Sequence, residues 1–194
     1  MRLKIIEHGR SLVNKLKLGM IRLMARVRVP DVLRVMVYRP AFFGTPYTAW
    51  TQAVMRGPSE WNIGERELFA AFTSHTNQCR YCVGHHRATS SEVFGNERFV
   101  QAALDDWHTA PIDAKTKVML GFLEKLTREP QNVNTADIAP LRAAGLSDGA
   151  IEDAIHVCAS FNIINRIADA LDFELPTPVG LARSTEILLT RGYQ

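Results

Sequence analysis

The chain has 194 residues, 46% of them hydrophobic and 22% charged, a length and balance suited to one soluble domain with its own core. Three cysteines, two of them within four residues, do not make a secreted disulfide framework, so a reducing cytoplasm is the expected compartment. The net charge of +3 is uneven: residues 1–28 hold eight Lys or Arg against the single Glu7, a local +7 that leaves −4 on the remainder. No apolar run reaches the roughly 18 to 20 residues that span a bilayer, and no small-residue cleavage site follows an apolar segment. Because the basic excess is confined to one terminal segment, nucleic acid is not an expected partner.

From Leu3 to Val27 the apolar residues Ile5, Leu12, Leu16, Met20 and Leu23 share one side of a helical wheel, with basic residues filling much of the other. Residues 1–28 are thus a basic amphipathic helix, and residues 29–194 the domain proper. Without a Trp or Phe to seat it in lipid headgroups, this helix is expected to pack on the domain or a neighbouring subunit rather than on an acidic membrane surface. Pro30 and Pro40 bracket a short helix from Asp31, and Gly44 and Pro46 precede a helix through Trp50 that Gly57 and Pro58 close. Asn62, with Glu65 three residues on, is a capping box opening a helix through Leu68 and Phe72. Glu97 to Trp107 reads as helix, Asp113 caps another, Asn134 or Thr135 opens a short one ending at Gly145, and Ser147 a long one through Leu171. A last helix spans roughly Gly180 to Leu189. No alternating β-branched run demands a sheet, so the fold class is all-α.

Chemistry concentrates between Ser74 and His86, which hold two of the three cysteines and three of the six histidines. Residues three apart on a helix have Cα atoms about 5 Å apart, inside the disulfide range, so Cys79 and Cys82 can cycle between dithiol and disulfide. His86 lies one turn beyond Cys82 and can take its proton, the thiolate being the reactive species. A helix that begins near Cys79 would instead favour that thiolate through its dipole, leaving the attacking sulfur open, with Cys82 preferred for its histidine. Zinc would find three ligands in Cys79, Cys82 and His86 and need a fourth from His75 or His85, whereas Cys158 and His156 fall in a helix that reads as buried. Haem attachment lacks its histidine, since Val83 follows Cys82. No metal or organic cofactor is expected. Cys158, among Val157, Ala159 and Phe161, reads as an inert buried thiol.

Glu67, Cys79 twelve residues later, Tyr81, Cys82 and His86 resemble the signature of the alkylhydroperoxidase D-like proteins of the carboxymuconolactone decarboxylase superfamily. Ser74, Asn77 and the Arg66-Glu67-Leu68 lead-in fit the same pattern, and Pro30 to Arg56 with Asn162 to Asp169 resemble its peroxidase-related branch. Two departures stand out: Gln78 occupies a place where Gly is common, and Tyr81 one where a branch of the family has His.

The resemblance implies a single-domain helical bundle that assembles as a homo-oligomer. It further implies a thiol-dependent peroxidase or disulfide-exchange reductase, an antioxidant activity in which Glu67 and His86 relay protons to the Cys79/Cys82 pair. The implied partners are a peroxide substrate and a dithiol reductant or peroxiredoxin-type protein. Tyr81, His85 and Asn162 are candidate walls of the site, His85 otherwise reading as an exposed neighbour of His86. Without the resemblance, Glu67 reads as a first-turn acid favoured by its helix dipole; with it, exchange of Glu67 for Gln is expected to slow the reaction and shift its pH profile while changing stability little. The rival functions are a lactone decarboxylase, which the thiol pair argues against, and a non-enzymatic thiol sensor or adaptor.

Overall fold

The computed structural model describes residues 1–7, 11–25 and 28–193, and every regular element among them is helical. The single helix expected over Leu3 to Val27 is two pieces, α1 (Lys4–Glu7) and α2 (Leu12–Ala25); residues 8–10, 26 and 27 of that expectation lie outside the described residues. Arg2 holds the N-terminal end down, its backbone N–H donating to Leu171 O at 2.7 Å and its guanidinium to Asp169 O at 2.7 Å. Leu18 of α2 is buried and Asn14 donates to Tyr38 O at 3.3 Å, yet the apolar stripe of α2 faces solvent and does not pack on the domain.

From α3 onward the expected punctuation holds. Pro30 precedes α3 (Asp31–Tyr38), and a π-helical turn over Pro40–Gly44 leads into α4 (Thr45–Arg56). The capping box forms at α5 (Ile63–Thr76): Asn62 Oδ1 accepts the Glu65 N–H at 3.0 Å and the Glu65 carboxylate accepts the Asn62 N–H at 2.7 Å. After α6 (Arg80–Phe94), Asn96 caps α7 (Glu97–Asp105), which stops two residues short of Trp107. Asp113, Asn134 and Ser147 cap α8 (Ala114–Arg128), α9 (Thr135–Ala143) and α10 (Asp148–Leu171). The last helix, α11 (Pro178–Arg191), outruns its expected span. Pro178 opens it because a first-turn residue needs no N–H, and Thr177 accepts from Gly180 at 3.3 Å.

The centre of the bundle is α5, paired with α6 as a helical hairpin and flanked by α8 and α10, while α11 lies along α6. Ten of the fourteen residues of α5 are buried, Arg66, Glu67, Thr73 and Ser74 among them. A helix covered on all sides carries no single apolar stripe, and its polar residues must find partners inside the protein. Leu68, Phe69, Met119, Leu120, Leu123 and Val157 pack the core around it.

The turn between α5 and α6 is a Schellman motif. Cys79 N–H donates to Ser74 O and Gln78 N–H to His75 O, both at 2.9 Å, and Gln78 takes the left-handed φ of +61°. The family departure noted in the sequence thus falls on a backbone position that favours glycine, and Gln78 holds it against a steric cost of about 1–2 kcal/mol. Gln78→Gly removes that cost but adds unfolded-chain entropy, so a net gain of about 0.5–1 kcal/mol is expected. It is read as a higher urea midpoint; an unchanged or lower midpoint sinks the strain argument.

Candidate active site

Cys79 is the N-cap residue of α6 and Cys82 lies in its first turn, so the thiols bracket the start of the helix rather than share its interior. Both are free and buried. The neighbouring Cys79 sulfur and then burial push the Cys82 thiol well above its usual value, and a hydrogen bond from Asn165 only partly opposes them. Cys82 therefore rests as a thiol, and its ionisation calls for a base.

One turn further along α6, His86 Nδ1 lies 2.7 Å from Oε2 of Glu67. Glu67 is wholly buried on α5, in the second turn and not the first, so the dipole reading of this residue fails. Its other oxygen accepts from Arg56 Nη2 at 2.6 Å and from the Tyr193 hydroxyl at 2.9 Å. Burial alone would raise the Glu67 carboxyl, but the charge and hydrogen bonds of His86 and Arg56 overcome it and hold the group below the ordinary carboxylate range. An ionised carboxylate can only accept, so Nδ1 of His86 is the donor in this contact.

Neither Arg56 nor Tyr193 is legible in the sequence. Arg56 comes from the end of α4, its guanidinium also donating to Met55 O and Leu188 O. Tyr193 follows α11, with its ring 6.4 Å from that of His86 at 12° and the Arg56 guanidinium 5.0 Å from its centroid. Its N–H donates to Gln52 Oε1 at 2.7 Å, pinning the segment after α11 beside the Glu67–His86 pair. Burial, and next the Glu67 charge, push the Tyr193 hydroxyl well above its usual value, so it acts as a fixed donor.

Comparison with solved structures places the fold. The chain is similar to an uncharacterized peroxidase-related protein from Silicibacter sp. TM1040, with 28% identity over 90% of both chains and a TM-score of 0.76. It is also similar to an uncharacterized peroxidase-related protein with an alkylhydroperoxidase AhpD core from Ralstonia eutropha JMP134, at 24% identity, 93% coverage of both chains and a TM-score of 0.76. The fold is the alkylhydroperoxidase D-like one. The debrominase Bmp8 shares the fold at 17% identity, covering 91% of this chain and 95% of its own, with a TM-score of 0.71. No family model matches the sequence, and no curated protein matches it.

Among the described residues, none of the three expected wall residues hydrogen-bonds to Glu67 or His86, although His85 lies close enough to feel the charge of both. Tyr81 packs against Phe173 at 5.2 Å and His85 at 4.6 Å, and His85 is buried rather than exposed. Tyr81, with Gln78, Arg80, Ala168 and Asp169, lines a cleft of about 420 Å³ next to the thiols, although neither cysteine is among its lining residues. Asn162 turns to Cys158, its amide donating to that sulfur at 3.2 Å. The residue that serves Cys82 is Asn165, three positions on, which also donates to Ser74 Oγ at 3.0 Å and accepts from Asn77 at 2.9 Å. Its presence within the family-like Asn162 to Asp169 stretch is the signal that could have found it. Among the described residues no group of three His, Cys, Asp or Glu converges as a metal site.

Two outcomes follow from these contacts. Glu67→Gln leaves the Arg56 charge buried and unpaired, so it lowers stability by about 3–5 kcal/mol rather than little, while Tyr193→Phe costs about 1 kcal/mol because Arg56 remains. Urea midpoints rank them, and a silent Glu67→Gln would refute the charge pairing. His85 provides the pH test: burial, then the neighbouring His86, push its pKa down to about 3. The unfolded chain takes up this proton below about pH 6.5 and the folded chain does not, so stability falls on the order of 2 kcal/mol between pH 7 and pH 5. His85→Gln should abolish that part of the pH dependence of the urea midpoint.

Proposed function

We propose that the chain is a thiol-dependent peroxidase, or a disulfide-exchange reductase working through the same dithiol, with Cys79 and Cys82 as redox pair and Glu67 and His86 as proton relay. The observation that carries this reading is a histidine oriented by a buried, ionised carboxylate one helical turn beyond a cysteine whose own environment keeps it protonated. A thiol so raised is a poor nucleophile until a base removes its proton, which is the work the relay is built for. The family likeness supports the same chemistry.

In the proposed cycle His86 Nε2 takes the Cys82 proton and the thiolate attacks the distal peroxide oxygen. The O–O bond breaks, the leaving alkoxide or hydroxide receives the proton from His86, and Cys82 becomes a sulfenic acid. Cys79 displaces water from it to form the Cys79–Cys82 disulfide. A dithiol protein or small thiol then returns two electrons and two protons and is itself oxidised. Asn165 positions the Cys82 sulfur, and the cleft beside Gln78 and Tyr81 offers the approach for the peroxide. The chain works as a homo-oligomer in this reading, and exposed apolar side chains such as Phe42 and Val179 favour such contacts.

Mass spectrometry of peroxide-treated protein should show a Cys79–Cys82 link that reductant removes. Cys79→Ser and Cys82→Ser each abolish multiple turnover, Cys158→Ser keeps most of it, and His86→Gln slows it about a hundredfold. Loss of activity in the folded Cys158→Ser variant would overturn the pairing. One equivalent of reductant consumed under excess peroxide would replace the enzyme by a sensor.

A further inference from the structure

The first helices of the chain raise a question the redox chemistry does not answer. On α2, Leu12, Val13, Leu16, Met20 and Leu23 are between 58% and 79% exposed, and at helical spacing they form one continuous stripe about 100° wide. The stripe is bordered by Lys15 and Arg22 on one side and by Lys17 on the other, and α2 contains no acidic residue. The helix is not free to turn this face inward. Its opposite side is committed to the domain through buried Leu18 and the Asn14 contact with Tyr38.

An apolar stripe with cationic borders on a helix of 14 residues, about 21 Å long, is too short to cross a bilayer and has the pattern of a helix lying in the headgroup plane. No helix among the described residues is long and apolar enough to cross a membrane, which leaves surface attachment as the membrane mode for this segment. Charge selects between a lipid surface and a second copy. Two copies pairing α2 against α2 about a two-fold axis would bring together helices that each carry +3, within N-terminal segments of +7. An anionic bilayer offers the opposite sign to the basic borders and an apolar layer to the stripe. We infer that α2 is an interfacial docking helix that holds the protein on anionic lipid surfaces.

The test uses the full chain and vesicles of phosphatidylglycerol mixed with phosphatidylcholine, against phosphatidylcholine alone. Sedimentation should show binding to the anionic vesicles, weakened on the order of tenfold as salt is raised from 50 to 500 mM. The charge-preserving triple change Leu12→Gln, Leu16→Gln and Met20→Gln should weaken it, as should the stripe-preserving change Lys15→Gln, Lys17→Gln and Arg22→Gln, with circular dichroism and subunit number unchanged in both. Failure of the intact protein to bind anionic vesicles at low salt overturns the inference. A fall in subunit number by light scattering in the apolar variant, with vesicle binding unaltered, overturns it in favour of a second copy. Neither outcome depends on peroxide turnover, so the docking helix and the redox reading stand or fall separately.

Discussion

The structure turns on one buried carboxylate. Glu67 has no exposed surface, and burial of an unpaired charge would unfold a domain of this size or neutralise the group. Three donors from three different parts of the chain prevent that: Arg56 at the end of α4, His86 on α6 and Tyr193 beyond α11. The same contacts that make the charge tolerable orient the His86 ring, so the requirement for folding also fixes how this imidazole is presented. Arg56 supplies a permanent compensating charge beside Glu67.

Around that carboxylate, the central helix is organised for polar contact as much as for packing. Covered on all sides, α5 brings Glu67, Thr73 and Ser74 into the interior, and Ser74 accepts from the Asn165 amide, which in turn accepts from Asn77 on the Cys82 side of the site. Asn165 both donates, to Ser74, and accepts, from Asn77, while it also meets the Cys82 sulfur. The Schellman turn completes the arrangement: its outermost hydrogen bond is made by the backbone of Cys79, so the turn that ends α5 also places the first thiol at the start of α6. The left-handed backbone at Gln78 is the cost of that placement.

Cys158 shows how different two buried thiols can be in one small domain. Its sulfur is met by Thr127 at 3.3 Å and by the Asn162 amide, and burial pushes its thiol up, with no partner sulfur beside it. Cys82 also rests protonated, but it has a second thiol within contact and a histidine one turn away. What separates an inert cysteine from a candidate nucleophile here is the company it keeps, since burial is common to both.

Much of the fold is legible in the sequence because the signals involved are local. The Asn62–Glu65 box, the caps at Asp113 and Ser147, and the stops at Gly145 and Pro58 act within one turn of helix, and each appears where its residues predict it. The thiol pair and its histidine are also local, set by spacings of three and four residues. Residues that act across the chain are a different matter. Arg56 and Tyr193 lie 11 and 126 positions from Glu67, and nothing in their neighbouring residues distinguishes them from surface side chains. The separation of Asn165 from Asn162 depends on how α10 is rotated against α5, and the outward face of α2 on which side Leu18 and Asn14 claim for the domain. Local pattern determines which segments are helices and which residues carry chemistry. Which charges meet, and which faces stay in water, is decided only when the helices pack, because burial and pairing are properties of the assembled chain.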